Sequence, residues 1–248
     1  MSHPIVLDNV VFQYPGNERP LRLNVAFPQS QITAVVGPSG SGKSSLLQLI
    51  NGLVRPTSGT IIVTGSPIDY TRLAALRRTV GYMVQGAGLF PHLTIERNIG
   101  LASRIRSEAL SNERIDELMT RMGLPLEYRL RYPHELSGGE QQRASICMSL
   151  YARPAIVLMD ESLGSLDAIT RVEIQTQLRQ LQQDEQCTMV LVTHDMQEAL
   201  RMGQQLLVMN QGLVEAFGSA SDVRKSESKL VQKLFAYSMY AGTQTDAP

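Results

Sequence analysis

The chain has 248 residues, enough for one large domain or for a core with a smaller appended lobe. Its 23 Lys plus Arg balance its 23 Asp plus Glu, so no net charge draws it towards nucleic acid or anionic lipid. The sequence lacks a secretory signal and any apolar stretch near the roughly 20 residues that cross a bilayer. Its two isolated cysteines, Cys147 and Cys187, suit a reducing compartment. These properties predict a soluble intracellular protein that does not bind nucleic acid.

Short β-rich runs dominate the first part of the chain, and buried strands alternate with helical patterns in the last part. The predicted strands are 5–7, 10–12, 32–36, 61–63, 80–84, 155–159, 189–193 and 206–209. The predicted helices are 44–51, 137–152, 168–183 and 196–202, and a more helical, more charged stretch runs from roughly 94 to 122, where Gly123 and Pro125 end it. Continuous apolar strands separated by helices predict an α/β fold whose mostly parallel sheet is covered on both faces.

A complete phosphate-binding loop separates the strand 32–36 from the next predicted helix. Its glycines let successive backbone N–H groups point at one anion, and the helix N-terminus adds about half a positive charge. Lys43 would reach the terminal phosphates, and the Ser44 hydroxyl would ligate Mg²⁺. The pattern predicts an ATP or GTP site formed by Gly37, Ser39, Gly40, Ser41, Gly42, Lys43, Ser44 and Ser45.

Polar residues end or follow three apolar strands, at the sheet edge where doubly wound folds bind ligands. Asp160 is expected to hold Mg²⁺ directly or through water, and Glu161 to orient or deprotonate the attacking water. His194 is placed to donate a hydrogen bond to the γ-phosphate, and the Gln85 amide to touch the metal or the water. The alternatives are a solvated Glu161 and a structural His194.

A second glycine-rich helix start lies far downstream, in the segment 136–143 (LSGGEQQR). Because the first loop already cradles the phosphates, the simplest use of another anion-binding helix start is to pair two copies head to tail. Each copy then offers Ser137, Gly138 and Gly139 to the nucleotide on the other's loop. The alternative is an ordinary Ser N-cap followed by two flexible glycines.

These motifs resemble those of the ATP-binding cassette (ABC) family of transport ATPases. The resemblance covers Leu7 to about Gly218 and rests on six motifs in family order: 37–45 (GPSGSGKSS), Gln85, 136–143 (LSGGEQQR), 156–161 (IVLMDE), 165–167 (SLD) and His194. It implies that Tyr14 stacks on adenine, although Tyr14 considered alone is an ordinary turn aromatic.

The resemblance also implies a domain plan. A phosphate-loop (RecA-like), mostly parallel sheet flanked by helices would carry an N-terminal antiparallel β subdomain and an inserted α-helical subdomain. The whole would form a single ATPase domain over 1–235, with the core at 1–85 and 151–235 and the helical subdomain at about 86–150. Residues 236–248 are expected to form a flexible tail.

A single stand-alone cassette resembles those of prokaryotic importers, whose membrane subunits are separate chains. The implied partners are a second cassette in a homodimer, integral membrane permease subunits and, indirectly, a solute-binding protein. The implied location is the inner face of the cell membrane, and the implied ligands are ATP and Mg²⁺. The apolar segment Leu89-Phe90-Pro91 would form part of a groove for a membrane-subunit helix, with a core role as the alternative.

Two stretches narrow the resemblance to importers of osmoprotectants such as glycine betaine, choline and carnitine. They are 88–95 (GLFPHLTI) and 167–171 (DAITR). Cassettes for polar amino acids, methionine and polyamines share parts of the first, so another small solute stays open, as do an exporter and a nucleotide-gated regulatory module. Two departures from the family pattern are Ser162, where Pro is usual, and ICMSL at 146–150.

Overall fold

The computed structural model describes residues 3–16, 19–161, 163–164 and 166–243. The strands of the described chain are β1 (Ile5–Phe12), β2 (Leu21–Phe27), β3 (Ile32–Val36), β4 (Ser58–Val63), β5 (Ser66–Pro67), β6 (Val80–Met83), β7 (Ile156–Asp160), β8 (Thr188–Val192), β9 (Gln205–Asn210) and β10 (Leu213–Gly218). Its helices are α1 (Lys43–Ile50), α2 (Leu73–Arg78), α3 (Ile95–Ile99), α4 (Leu101–Arg106), α5 (Asn112–Arg121), α6 (Gly138–Leu150), α7 (Ala168–Glu185), α8 (Met196–Met202), α9 (Ala220–Val223) and α10 (Lys229–Thr243). Two compact units divide the chain, 1–71 with 190–248 and 72–189.

The sheet of the first unit runs in the order β5-β4-β1-β2-β10-β9-β3. β1 pairs antiparallel with β2 and β4, whereas β3 runs parallel to β9. A register shift within β1 accompanies Asn9, whose φ is 48°, and the buried positions change there from Ile5 and Leu7 to Val10 and Phe12. This bulge explains why the sequence pattern splits the strand into two short runs.

Helices α8 and α10 cover the apolar side chains of β3 and β9. Ala34 and Val36 of β3 join a buried cluster that includes Val231 and Phe235 of α10. The burial of these residues, four positions apart on one helix face, anchors α10 and carries it through 243. Residues 236–243, predicted to belong to a flexible tail, are thus helical, and 244–248 lie outside the described residues. The flexibility of the segment 236–248 stays a prediction.

In the second unit, β6 and β7 form a parallel pair, and the remaining chain is largely helical. The buried Arg114 of α5 joins three helices of this unit. Its guanidinium donates to Glu117 at 2.9 Å, to Glu185 of α7 at 2.7 Å and to the Leu150 carbonyl of α6 at 3.0 Å. The hydrogen bond from Arg114 is the main cause that keeps the pKa of Glu117 below its ordinary value.

The structure confirms every predicted strand, and the four predicted helices, to within about three residues. The helical stretch predicted over 94–122 consists of α3, α4 and α5, since the chain turns at Gly100 and again at Ser107, whose φ is 57°. β2, β10 and α10 are absent from the predicted set. None of the described helices combines the length and the apolar character that a bilayer crossing requires.

The compact units do not follow the predicted subdomain boundaries. The units meet at 71/72 and 189/190, so the second unit contains β6 and β7 as well as the helices between them. The division of the chain into a core and a helical subdomain at 85/86 and 150/151 stays a prediction.

Candidate functional site

The phosphate loop of the first unit joins the fully buried β3 to α1. Gly37, Gly40 and Gly42 all have positive φ, at 154°, 75° and 101°. A side chain at Gly37 is impossible, because a Cβ there would lie 2.0 Å from the Met209 carbonyl oxygen of β9. The close approach of β9 therefore requires a glycine at the position where the loop begins.

Lys43 is folded inside this loop rather than extended into solvent. Its side chain is 7% exposed, and its ammonium donates to the carbonyls of Gly37 at 2.9 Å and Pro38 at 3.1 Å. Within the described chain, no side chain caps the start of α1, and its first turn holds no acid. The N–H groups at this helix start and the Lys43 charge together form a site for an anion.

Ser44 is exposed in the first turn of α1. Its hydroxyl would be within reach of a metal ion bound to the anion. Ser41 is buried, and its Oγ lacks a hydrogen-bond partner among the described residues. A cavity of about 360 Å³ lies beside the loop, lined by Arg19, Leu21, Pro38, Ser39, Gly40, Ser41, Asn210, Gln211 and Gly212. Sequence reasoning missed Arg19 and the β9–β10 turn, which no local motif marks.

Tyr14 lies beside α1, tethered by its hydroxyl. The hydroxyl donates to Gln48 Oε1 at 2.6 Å, and the ring meets Phe12 edge-on with the centroids 4.6 Å apart. Ser45 Oγ lies 3.5 Å from the same hydroxyl. Tyr14 is 38% exposed, so it keeps ring surface for a planar group. Gln48 was not predicted as a site residue. The one feature of the sequence that could have indicated it is its position one helical turn after Ser44.

His194 follows β8 in the first unit, and its neighbour Thr193 contacts β3, the strand that precedes the phosphate loop. The Thr193 backbone N donates to the Val35 carbonyl of β3 at 3.1 Å, so the two strands end side by side. Asp195 caps α8 by accepting from the Gln197 N–H at 2.8 Å. His194 is thus exposed in a strand-to-helix turn at the same edge as the loop.

The second unit brings Gln85 and the paired acids to one edge of β6 and β7. Met83 pairs with Met159, so Gln85 and Asp160 both follow the same point of the parallel ladder. Burial, and then the negative charge of Asp160, raise the pKa of Tyr82 on β6. The sequence prediction that these polar groups share a strand-end edge holds within this unit.

Glu161 adopts a left-handed backbone conformation, with φ at 43°. Such a conformation costs a residue with a side chain on the order of 1–2 kcal/mol, and strain of this kind clusters at functional sites. The backbone at Glu161 is therefore held in this conformation by its surroundings. Ser162 and Ser165, singled out in the sequence, lie outside the described residues.

The second glycine-rich segment forms the start of α6 in the second unit. Ser137 caps the helix and shares a capping box with Glu140. A Cβ on Gly138 would meet nothing within 4 Å among the described residues, whereas one on Gly139 would lie 3.0 Å from Thr170 Cγ2. A cavity of about 420 Å³ opens here, lined by Ser137, Gly138, Gly139, Glu140, Arg143, Leu166, Asp167 and Thr170.

The donors proposed for Mg²⁺ are all oxygens, as this hard cation requires. They are the Ser44 hydroxyl in the first unit, and the Gln85 amide and the Asp160 carboxylate in the second. No group of three or more His, Cys, Asp or Glu side chains suited to a metal occurs in the described part of the chain. Each of these donors suits a hard cation that takes further ligands from phosphate and water.

Comparison with known proteins places these features in a family context. Residues 21–164 match the profile of the family described as ABC transporter. The chain is 37% identical over 225 residues to the choline transport ATP-binding protein OpuBA of Bacillus subtilis (strain 168), covering 90% of this chain and 59% of that protein. It is 42% identical over 199 residues to the glycine betaine uptake system ATP-binding protein YehX of Escherichia coli (strain K12), covering 79% and 65%. The chain thus spans about three fifths of these relatives' length.

A solved structure shares the fold. It is a dimeric, post-hydrolysis state of the ATP-binding cassette MJ0796 bound to ADP and Pi, similar with a TM-score of 0.77 and 30% identity. The match covers 87% of this chain and 98% of that one. The predicted α/β phosphate-loop fold is confirmed.

Proposed function

Because the chain belongs to the ABC transporter family, we propose that it binds and hydrolyses ATP to power solute uptake through separate membrane subunits. The observation that carries this proposal is the phosphate loop. Lys43 is folded onto the loop carbonyls, and the first turn of α1, uncapped among the described residues, offers its N–H groups. Such a site takes a polyphosphate.

The catalytic roles follow from the chemistry of each side chain. Glu161 orients the water that attacks the γ-phosphate, and its left-handed backbone conformation is strain of the kind that clusters at functional sites. Lys43 and His194 stabilise charge that develops on the transferred phosphoryl group. Ser44, Gln85 and Asp160 hold Mg²⁺, which when bound neutralises charge on the phosphate oxygens. Tyr14 stacks on the adenine.

The start of α6 serves a second copy of the chain. Ser137 and Gly138 are exposed, and the open face at Gly138 leaves room for a phosphate to approach the helix N–H groups. We infer that two copies pair head to tail, each covering the nucleotide on the other's loop. The dimeric relative with bound ADP and Pi supports this arrangement. ATP favours the pair only through contacts that the unpaired copies lack.

The membrane subunits need a docking surface, and the second unit offers an apolar one. A cavity of about 410 Å³ lies among α2, β6, α4 and α6. Its apolar members include Tyr82, Leu101, Ile105 and Met148. We infer that a membrane-subunit helix enters it. Phe90, predicted to line such a groove, is 43% exposed but does not line this cavity.

The transported solute is proposed as a quaternary amine of the choline and glycine betaine type. Two relatives named for these solutes support it, at 37% and 42% identity. The cassette itself does not contact the solute in this scheme, so the proposal rests on those relatives and on the two stretches 88–95 and 167–171. A periplasmic or surface solute-binding protein would complete the system.

Phosphate release tests the motor function. The chain with Mg²⁺ and ATP should hydrolyse ATP, faster when assembled with its permease, and Glu161→Gln should lower the rate by about 10²–10⁴-fold. The same variant should accumulate a dimer that holds ATP. Glu127→Gln, at an exposed carboxylate in the same unit, is the matched control and should retain the rate. Hydrolysis that survives Glu161→Gln would refute the catalytic assignment.

Uptake into vesicles tests the solute class separately. The cassette is reconstituted with a permease and a solute-binding protein of its own organism, and labelled choline and glycine betaine are compared with polar amino acids. ATP-dependent uptake of the amines alone supports the proposal. Uptake of amino acids without amines overturns the solute class but leaves the motor function standing.

A further inference from the structure

Glu140 occupies two of the hydrogen-bond donors at the start of α6, both of them on Ser137. One carboxylate oxygen, Oε2, accepts from the Ser137 backbone N–H at 2.8 Å and from the Ser137 hydroxyl at 2.8 Å. In return, the Glu140 N–H donates to Ser137 Oγ at 3.4 Å. The chain thus places its own anion on this helix start.

The Glu140 side chain is held as a carboxylate by several groups of the same unit. Hydrogen bonds from the Ser137 backbone are the largest cause that lowers its pKa, followed by the Ser137 and Tyr128 hydroxyls and the positive charge of Arg131. The Arg131 guanidinium lies over the Tyr128 ring, 3.8 Å from its centroid. A negative charge is therefore present at this site around neutral pH.

The face beside this carboxylate remains open. Ser137 and Gly138 are exposed, and Glu140 itself lines the cavity that contains Gly138 and Gly139. An incoming triphosphate would meet the Glu140 charge at close range. Two anions near each other repel, and salt screens that repulsion over about 8–10 Å at moderate ionic strength.

We propose that Glu140 is a positioning residue that reserves the Ser137 donors in the unpaired protein and opposes premature pairing on nucleotide. This inference rests on the proposed pairing of two copies. Closure requires the phosphate to displace the carboxylate from Ser137, while Arg131 offers it a nearby countercharge. A device of this kind sets the ATP concentration at which the copies pair.

The test compares dimer affinity in Glu161→Gln protein with ATP, by sedimentation at low and high salt. Adding Glu140→Gln keeps the shape of the side chain and its acceptor oxygen but removes the charge. We expect the dimer dissociation constant to fall by about 10-fold or more at 50 mM salt, because each dimer holds two such sites. The gain should shrink below about 3-fold at 0.5 M salt.

Glu113→Gln is the matched control, since Glu113 follows another Ser-capped helix start and accepts from the Ser111 hydroxyl at 3.1 Å. It should leave the dimer affinity unchanged. Glu140→Asp, which keeps the charge, should not tighten the dimer. Melting curves of the unpaired proteins verify that each variant folds.

The possible results distinguish a failure of the proposed pairing from a failure of the proposed role of Glu140. If Glu161→Gln protein forms no dimer with ATP, alone or with its permease, the pairing proposal itself fails. If it pairs, but Glu140→Gln leaves the affinity unchanged, weakens it, or tightens it equally at both salt concentrations, the role of Glu140 is overturned.

Discussion

The two glycine-rich helix starts of this protein look alike in sequence but differ in what occupies them. At α1, among the described residues, the N-terminal N–H groups have no side-chain cap, and the buried Lys43 adds positive charge. At α6, Ser137 caps the helix and Glu140 supplies an internal anion. The loop before α1 is organised to bind a ligand by itself. At the start of α6 the two Ser137 donors are already occupied, so a ligand that uses them has to compete with Glu140.

Their glycines differ for the same reason. The three glycines before α1 have positive φ, and β9 leaves no room for a side chain at Gly37. Gly138 and Gly139 lie within the helix, where glycine is less favourable than alanine by about 1 kcal/mol. A glycine with open space where a side chain would lie leaves that face of the helix accessible to a molecule from outside the chain.

Removing the charge at α1 should have the largest effect. Lys43→Ala deletes the ammonium that the loop carbonyls hold, and we expect ATP hydrolysis to fall by about 10²–10³-fold. Phosphate release measures it, with the exposed Lys225→Ala as the control. A rate within a factor of two of the unmodified protein would show that this loop is not the catalytic one.

Filling the open face at α6 should have the next largest effect. Gly138→Ala meets no described atom within 4 Å, so the unpaired protein should melt at the same or a slightly higher temperature. We expect the ATP-dependent dimer and its hydrolysis to decrease about 10–100-fold, because the methyl group occupies the face that receives the nucleotide. Binding of fluorescent ATP to the unpaired protein is the internal control and should not change. Undiminished hydrolysis would show that the start of α6 takes no part in the site.

Loss of the hydrogen bond between Tyr14 and Gln48 should have a smaller effect, on the affinity for ATP. Tyr14→Phe and Gln48→Leu each remove one side of a 2.6 Å hydrogen bond while leaving the ring to stack. We expect each to raise KM for ATP about 3-fold with kcat unchanged, and the double variant to match either single one. Multiplied effects in the double variant would mean that the two residues act independently.

The smallest expected effect concerns stability against pH. The pKa of Glu140 in the folded protein lies below its ordinary value, chiefly through the hydrogen bond from the Ser137 backbone. Its ionised form therefore stabilises the fold above its ordinary pKa, and this contribution is lost as the pH falls through the folded-state pKa. From pH 7 to pH 4, the melting temperature should fall less for Glu140→Gln than for the unmodified protein. An equal fall in both proteins would mean that the capping carboxylate contributes no stability.

Much of the site was predictable because its signals are local. The strand–loop–helix order around Lys43 and the strand ends at Gln85 and Asp160 depend on residues close in sequence, and the structure has them where predicted. The edge shared by β6 and β7 followed from the rule that parallel strands end together. β2 was missed although its alternation of apolar and polar residues is the pattern of a half-buried strand, and β10 was missed because polar residues interrupt its apolar run.

Other features depended on how the chain folds back on itself. Residue order alone identified two helix starts that suit anions and the acids that belong with them, since backbone conformation and capping act over a few residues. It did not reveal that Met209 forbids a side chain at Gly37, that Gln48 holds Tyr14, or that α10 continues over the core. These contacts join positions about 30 to 200 residues apart, and such pairings leave no periodic trace in the sequence.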